Sequence, residues 1–174
     1  MSWWEPRTDV PLHEWRPSAF EMLPAALPEA RRVHDRIWVS TGLSHSWLIT
    51  TDDGRVIVNT GMGFESPVHK RNFDAVDDSP TRAIIFTQAH PDHVGGADHF
   101  REDGTELIAQ AGNAEHLEQD TRIAAYRQHR SDFAFADTVR DGAIRILKEF
   151  GGLPDQASPT PTITFDDRYE LTVG

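Results

Sequence analysis

The sequence contains no cysteine among its 174 residues. Disulfide bonds and thiolate ligands are therefore excluded, and any metal would be held by nitrogen and oxygen donors. The sequence also has no apolar run long enough to cross a bilayer. Residues 1–7 lack the basic start and the apolar core of a signal peptide. From these absences we expect a cytoplasmic protein that does not associate with membranes.

Basic residues are scarce: 17 Lys and Arg stand against 28 Asp and Glu, so the formal net charge is −11 at pH 7. An enzyme that acts on nucleic acid is expected to carry a basic stripe for phosphate contacts. The local basic clusters here are short, namely Arg31-Arg32 and His69-Lys70-Arg71. The charge balance therefore argues against a nucleic-acid substrate.

The length and the 38% hydrophobic content are enough for one domain with its own core. Residues 1–30 are rich in Trp and Pro and predict an extended arm, which either packs on its own domain or docks on a partner. Residues 31–174 predict alternating strands and helices, with a helical insertion at about 112–152. This order indicates an α/β fold with a mixed sheet.

Periodicity and turn residues place the individual elements. Strands are predicted at 33–39, 47–50, 55–59, 83–86, 106–110, 162–165 and 169–173. Helices are predicted at 66–76, at 96–101 and within 113–150. We expect Asp137 to cap the last helix and Gly151-Gly152 to end it.

The loop at 87–96 follows the apolar run at 83–86, so its polar residues lie at the end of a core strand. It contains His90, Asp92 and His93, two imidazoles and a carboxylate that can converge on one small volume. This donor set suits zinc, with iron and manganese as near relatives. The loop at 87–96 is therefore a candidate metal site, and we call it the metal loop.

This loop resembles the metallo-β-lactamase superfamily, whose motif here is His-x-His-x-Asp-His followed by Gly-Gly. In this chain the motif reads Gln88-Ala89-His90-Pro91-Asp92-His93, so a glutamine replaces the first histidine. Residues 44–61 resemble the family's opening hairpin and end in Asn59-Thr60-Gly61, where the family usually has Asp-Thr-Gly. The resemblance covers roughly Val33 to Gln110. The segments 59–65 and 87–96 look closer to the alkylsulfatase-like and other hydrolase branches than to the drug-resistance β-lactamases.

The resemblance implies an α/β fold that forms half of an αββα sandwich, a mixed sheet with outer helices. It also implies one or two zinc ions, with His90 as a first-site ligand and Asp92 and His93 as second-site ligands. Asp92 would help to orient the attacking water. Gln88 would hydrogen-bond that water or the substrate. Asn59 either orients the loop or serves as a turn residue.

The later histidines do not complete these sites. We predict that His99, His116 and His129 lie on helices at the surface. Three carried-over ligands spread over two sites leave both sites incomplete. We therefore expect a second-half polypeptide, either a separate subunit or the rest of a processed precursor, to supply further ligands and to cover the sheet.

Three functional hypotheses follow. The first is the N-terminal subunit or fragment of a metal-dependent hydrolase that acts on an ester, thioester, lactone or sulfate ester. The second is a non-catalytic structural or regulatory subunit, and the third is a member of the nuclease or redox branches of the fold. Phe133 and Phe135 either join the core or form an apolar lid over the metal loop. The lid would imply a small-molecule substrate with an apolar portion.

Overall fold

The computed structural model of the protein describes residues 23–25 and 27–174. Most of the predicted arm at 1–30 lies outside the described residues. Within the described part, none of the helices combines the length and the apolar character needed to span a bilayer.

One mixed sheet of seven strands runs through the described chain, and its spatial order is the sequence order. The strands are β1 (Arg31–His34), β2 (Ile37–Ser40), β3 (Ser46–Thr51), β4 (Gly54–Val58), β5 (Thr81–Phe86), β6 (Glu106–Gln110) and β7 (Ile163–Phe165). Strands β1 to β4 pair antiparallel, whereas β4 to β7 pair parallel. The sheet confirms the predicted α/β class.

The helices of the described part lie mostly between the parallel strands and after β6. They are a 3-10 turn (Gly63–Glu65) and the α-helices α1 (Ser66–Asp74), α2 (Pro91–Val94), α3 (Ala97–Phe100), α4 (Asn113–Arg122) and α5 (Ala124–Phe150). Pro67 stands in the first turn of α1, where a missing N–H costs nothing. Helix α5 ends at Gly151, which has a φ of 75° and donates its N–H to the carbonyl of Leu147.

The main core lies on one face of the sheet. Cross-strand pairing puts Leu48, Ile57, Ile84 and Leu107 in one row over four strands, and none of them is accessible to solvent. Phe73 of α1 and Phe100 of α3 pack in the same cluster, with ring centroids 6.1 Å apart. Each such buried side chain stabilises the fold by about 1.5–3 kcal/mol.

The opposite face of the sheet carries a second cluster around Val56, Ala83 and Ile108. In the described chain, Leu171 and Val173 pack on this face from the C-terminal segment. Helices therefore cover one face and an extended segment lies against the other. This arrangement is half of an αββα sandwich, as predicted.

Three predictions about single elements are wrong. The strand expected at 33–39 is the hairpin β1–β2, because the chain turns at Asp35-Arg36. Asp137 caps no helix, since α5 begins at Ala124 and continues through it without a break. Residues 169–173 are not a strand, because their apolar side chains pack on the face of the sheet rather than extending its edge.

Candidate metal centre

Two loops meet at the carboxyl ends of the parallel strands β4 and β5. Asn59 follows β4, and its side chain binds Thr87 at the start of the metal loop. Asn59 Nδ2 donates to Thr87 Oγ1 at 2.9 Å, and the Thr87 N–H donates to Asn59 Oδ1 at 3.0 Å. Asn59 has a φ of 57°, a left-handed conformation that asparagine tolerates better than most residues. It is therefore both a turn residue and a partner that orients the loop.

The backbone of the metal loop is fixed by hydroxyl groups from two other segments. Thr60 donates its N–H to the carbonyl of His93 at 2.8 Å and its hydroxyl to the same carbonyl at 3.1 Å. The Ser44 hydroxyl donates to the carbonyl of Asp92. These contacts use the backbone carbonyls and leave the side chains of Asp92 and His93 available for chemistry.

Glycine is required where the loop closes against the β4 segment. A methyl group on Gly96 would lie 2.4 Å from the carbonyl oxygen of Thr60, a distance that no side chain tolerates. The Gly96 N–H instead donates to the carbonyl of Gly61 at 3.1 Å. The backbone at Gly96 thus approaches the segment after β4 more closely than any other residue would allow.

Asp92 and His93 stand on the one-turn helix α2 and form the polar centre of the segment at 87–96. Asp92 Oδ2 lies 3.5 Å from His93 Nε2, and Gln88 Nε2 lies 2.8 Å from the same nitrogen. Burial lowers the pKa of His93, an effect that the neighbouring Asp92 carboxylate opposes and that His90 reinforces. A histidine with a lowered pKa is neutral at pH 7, which is the form that binds metals.

His90 is exposed and borders a different cavity from Asp92. The His90 cavity, of about 500 Å³, is also lined by Gln88 and by His116 of α4. Asp92 lines a groove of about 360 Å³ beside Arg127 of α5. Within residues 23–25 and 27–174, no group of three His, Cys, Asp or Glu side chains is placed to hold a metal ion. The three-residue ligand set stays a prediction, of which the structure brings Asp92 and His93 together.

The three later histidines lie where the sequence predicts. His99 is on α3, and His116 and His129 are exposed on α4 and α5. None of them reaches the Asp92–His93 pair through a hydrogen bond or ion pair in the described structure.

The groove beside Asp92 has an apolar wall. It is lined by Leu43, Met62, Pro91, Asp92, Arg127, Ser131, Phe135 and Val139. Phe135 is partly buried there, at the position that the lid interpretation requires, whereas the side chain of Phe133 is outside the described residues. A second cavity of about 490 Å³ shares Met62, Pro91, Arg127 and Ser131 with this groove.

Arg127 and Ser44 were not among the predicted site residues. Ser44 stands in the segment that resembles the family's hairpin, so the sequence contains a pattern from which its position near the loop could be predicted. No such pattern marks Arg127, because it reaches the groove only through the packing of α5 beside the metal loop.

Residues 54–168 match the model of the beta-lactamase superfamily domain. The match covers well over half of the chain, and the chain therefore belongs to this superfamily, in its metallo-β-lactamase-fold branch. The predicted resemblance is confirmed.

Two alkylsulfatases are among its similar proteins. The linear primary-alkylsulfatase of Pseudomonas sp. (strain ATCC 19151) is 26% identical over 138 residues, which are 72% of this chain and 26% of that protein. The structure of a double mutant of the sec-alkyl sulfatase PisA1 aligns with a TM-score of 0.66 at 19% identity, over 86% of this chain and 26% of that one. This chain thus spans about a quarter of the length of both relatives.

Proposed function

We propose that this chain is the N-terminal part of a metal-dependent hydrolase that acts on an ester, thioester, lactone or sulfate ester. The observation that carries the proposal is the Asp92–His93 pair, a carboxylate and a neutral imidazole 3.5 Å apart at the end of a core strand. Family membership supports hydrolytic chemistry, and the donor types support zinc, with iron or manganese as alternatives.

The residues fit a metal in part. Asp92 and His93 would bind it, and a bound metal would lower the pKa of a water ligand and polarise the scissile group. His90, the implied ligand of the first site, would have to turn from its own cavity to bind a metal beside them. A catalytic zinc usually takes three protein ligands. We therefore propose that a second-half polypeptide, either a separate subunit or the remainder of a processed precursor, supplies the others.

Gln88 has a defined position in this proposal. Its amide lies against His93 Nε2, the nitrogen that would bind the metal. Metal binding requires Gln88 to turn away from that nitrogen. Its amide then has a hydrogen bond to offer to the attacking water or to the substrate, which is the role that the sequence suggests for it.

The groove supports a small-molecule substrate with an apolar portion. Leu43, Met62, Phe135 and Val139 supply apolar surface, and Arg127, which is ion-paired with Asp120 of α4, lines the polar end beside Asp92. An apolar tail joined to a polar group fits both features. The similarity to a primary-alkylsulfatase favours a sulfate ester among the four substrate classes.

The second face of the sheet is the surface on which we propose that a partner chain packs. Its cluster around Val56, Ala83 and Ile108 receives only Leu171 and Val173 from beyond β7 in the described structure. We propose that the second-half polypeptide packs on this face, and that the protein is cytoplasmic. We also propose that the protein binds neither nucleic acid nor a membrane.

A non-catalytic subunit is the second candidate. One observation favours it: Gln88 both replaces a histidine of the motif and occupies His93 Nε2. A chain of this kind would stabilise or regulate its partner without binding a metal.

Turnover of an alkyl sulfate and of a carboxylic ester by the protein with its co-purified partner decides between the two candidates. The hydrolase proposal predicts turnover that needs added Zn²⁺ and is lost in His93→Ala. His129→Ala, a change of an exposed histidine on α5, is the matched control and should leave turnover unchanged. Equal turnover by His93→Ala and the wild type would remove the hydrolase proposal.

A further inference from the structure

A polar cavity of about 500 Å³ lies outside the carboxyl ends of the parallel strands β5 and β6, and the proposed function assigns it no ligand. Phe86 ends β5, Gln110 ends β6, and both residues line the cavity. Ligands of open α/β sheets commonly bind outside the carboxyl ends of the strands. The volume lies within the range of about 300–1,000 Å³ that small-molecule sites occupy. The cavity therefore has the size and the place in the fold of a ligand site.

One face of helix α4 forms a wall of this cavity. Asn113, His116 and Gln119 follow one another at intervals of three residues, so their side chains share one side of the helix. All three line the cavity. Asp120 extends the same wall, and its carboxylate is ion-paired with Arg127 of α5. The wall is therefore polar along its length.

Asn113 is buried without a hydrogen-bond partner. Only 7% of the residue is exposed, and its side-chain amide makes no hydrogen bond within the described structure. Native proteins leave few buried amides without a partner, because such a group costs free energy. Neither amide atom of Asn113 is among the fully buried side-chain atoms that lack a partner, so both keep some access to solvent. Because Asn113 lines the cavity, a ligand in the cavity can reach this amide.

The neighbouring groups also have hydrogen bonds to offer. The side chains of His116 and Gln119 are exposed and make no hydrogen bond within the described residues. Gln110 Oε1 accepts the N–H of Gly112 at 2.6 Å, and Gln110 Nε2 donates one proton to the carbonyl of Asp166 at 3.4 Å. An amide nitrogen carries two protons, so one proton of Gln110 is left for a ligand.

The charges around the cavity do not suit an ionic ligand. In the part of the chain that the structure describes, no lysine or arginine lines the cavity. An anion would therefore meet no counter-charge, and the protein as a whole carries a net charge of −11. A cation would have to compete with Arg127 for the carboxylate of Asp120. The charge pattern favours a neutral ligand.

We propose that this cavity binds a neutral molecule rich in hydroxyl groups, namely a polyol or a monosaccharide. A hydroxyl group both donates and accepts a hydrogen bond, and a carboxamide or a neutral imidazole does the same. Asn113, His116, Gln119 and Gln110 supply the matching groups. The site is separate from the groove beside Asp92, and it does not depend on whether the protein is a hydrolase.

Proton–nitrogen NMR spectra of the labelled protein test the proposal, with the side-chain amides of Asn113 and Gln119 as reporters. The neutral probes are glucose, mannose, myo-inositol and glycerol, and the charged probes are sodium sulfate and methylammonium chloride. We expect at least one neutral probe to shift both amide signals in a saturable way, whereas the charged probes leave them unchanged. Shifts caused by the charged probes alone, or by none of the probes, would overturn the proposal.

Zn²⁺ is a further probe, because His90 and His116 line the same cavity. Binding of Zn²⁺ between these two rings, with no response of the amide signals to the neutral probes, would make the cavity a metal site and refute the proposal. Loss of Zn²⁺ binding at Asp92 and His93 would refute the proposed hydrolase and leave this cavity as it stands.

Asn113→Leu keeps the approximate shape of the side chain and removes its amide. The variant should bind the neutral probe about tenfold more weakly, as read from the Gln119 signal. Gln128→Leu removes an exposed amide of α5 that does not line the cavity, and as the matched control it should bind like the wild type. Equal affinities of all three proteins would contradict the site. If Asn113→Leu does not fold, Gln119→Leu at an exposed position of the same wall takes its place, with Asn113 as the reporter.

Discussion

Glu65→Gln should change the way in which the free energy of unfolding depends on pH. Burial raises the pKa of Glu65 from 4.5 to about 7, the Asp92 carboxylate adds to the rise, and the amides of Leu43 and Met62 oppose it. Glutamine keeps the shape of the side chain and removes its ionisation. The variant therefore isolates the contribution of one titrating group.

The direction in which stability changes with pH follows from the protons that the folded and unfolded chains bind at Glu65. Between pH 4.5 and about 7 the folded chain keeps a proton on Glu65 that the unfolded chain has lost, so stability from this group falls as pH rises. The contribution is complete below pH 4.5 and gone above about 7. At about 1.4 kcal/mol per pH unit, the difference between the two pKa values corresponds to about 3 kcal/mol.

His69 acts in the opposite direction. Burial lowers its pKa from 6.5 to about 3, with a further contribution from His45. The stability from His69 is therefore complete above pH 6.5 and is lost as pH falls toward 3. Between pH 4.5 and 6.5 the contributions of Glu65 and His69 oppose each other in the wild type. In Glu65→Gln the opposing contribution of Glu65 is absent, so stability should rise more steeply with pH across this window than it does in the wild type.

Urea denaturation at a series of pH values between 4.5 and 7 measures how the free energy of unfolding changes with pH in the wild type and in the variant. The difference between the two proteins should change by about 3 kcal/mol across the series. Glu118→Gln, a change of an exposed residue on α4, is the matched control and should follow the wild type. A difference between Glu65→Gln and the wild type that is the same at every pH would refute the reasoning.

Two further predictions concern stability. Asn59→Ala loses the side-chain hydrogen bonds to Thr87 and puts alanine at a φ of 57°, so it should cost about 1–3 kcal/mol in urea denaturation. Asn59→Gly should cost less because glycine tolerates that φ, and an equal or larger cost would contradict the backbone argument. Phe73→Ala removes a fully buried ring and should cost about 3–5 kcal/mol. Leu147→Ala, on the exposed side of α5, should cost much less, and equal costs would contradict the position of the core.

The sequence predicts those elements whose signal is local. Strand β6 begins and ends where its apolar run predicts, and β5 begins only two residues before its predicted start. Helix α1 begins at residue 66, where the sequence predicts its start. The hairpin β1–β2 is not predicted because its turn, Asp35-Arg36, contains no glycine, proline or asparagine.

The site is predicted only where it lies in consecutive residues. The loop with Asp92 and His93 is contiguous in sequence, so its place after β5 could be inferred. Arg127 reaches the groove through the packing of α5, which no local pattern encodes. The side chain of His90 turns toward α4, and this too depends on tertiary packing rather than on spacing.

Calorimetric titration of Zn²⁺ into the protein with its partner, for the wild type, His93→Ala and His129→Ala, tests most directly the proposal that Asp92 and His93 are ligands of a metal ion. We predict that the wild type and His129→Ala bind Zn²⁺ alike and that His93→Ala loses a bound ion. Identical Zn²⁺ binding by all three proteins would contradict the claim.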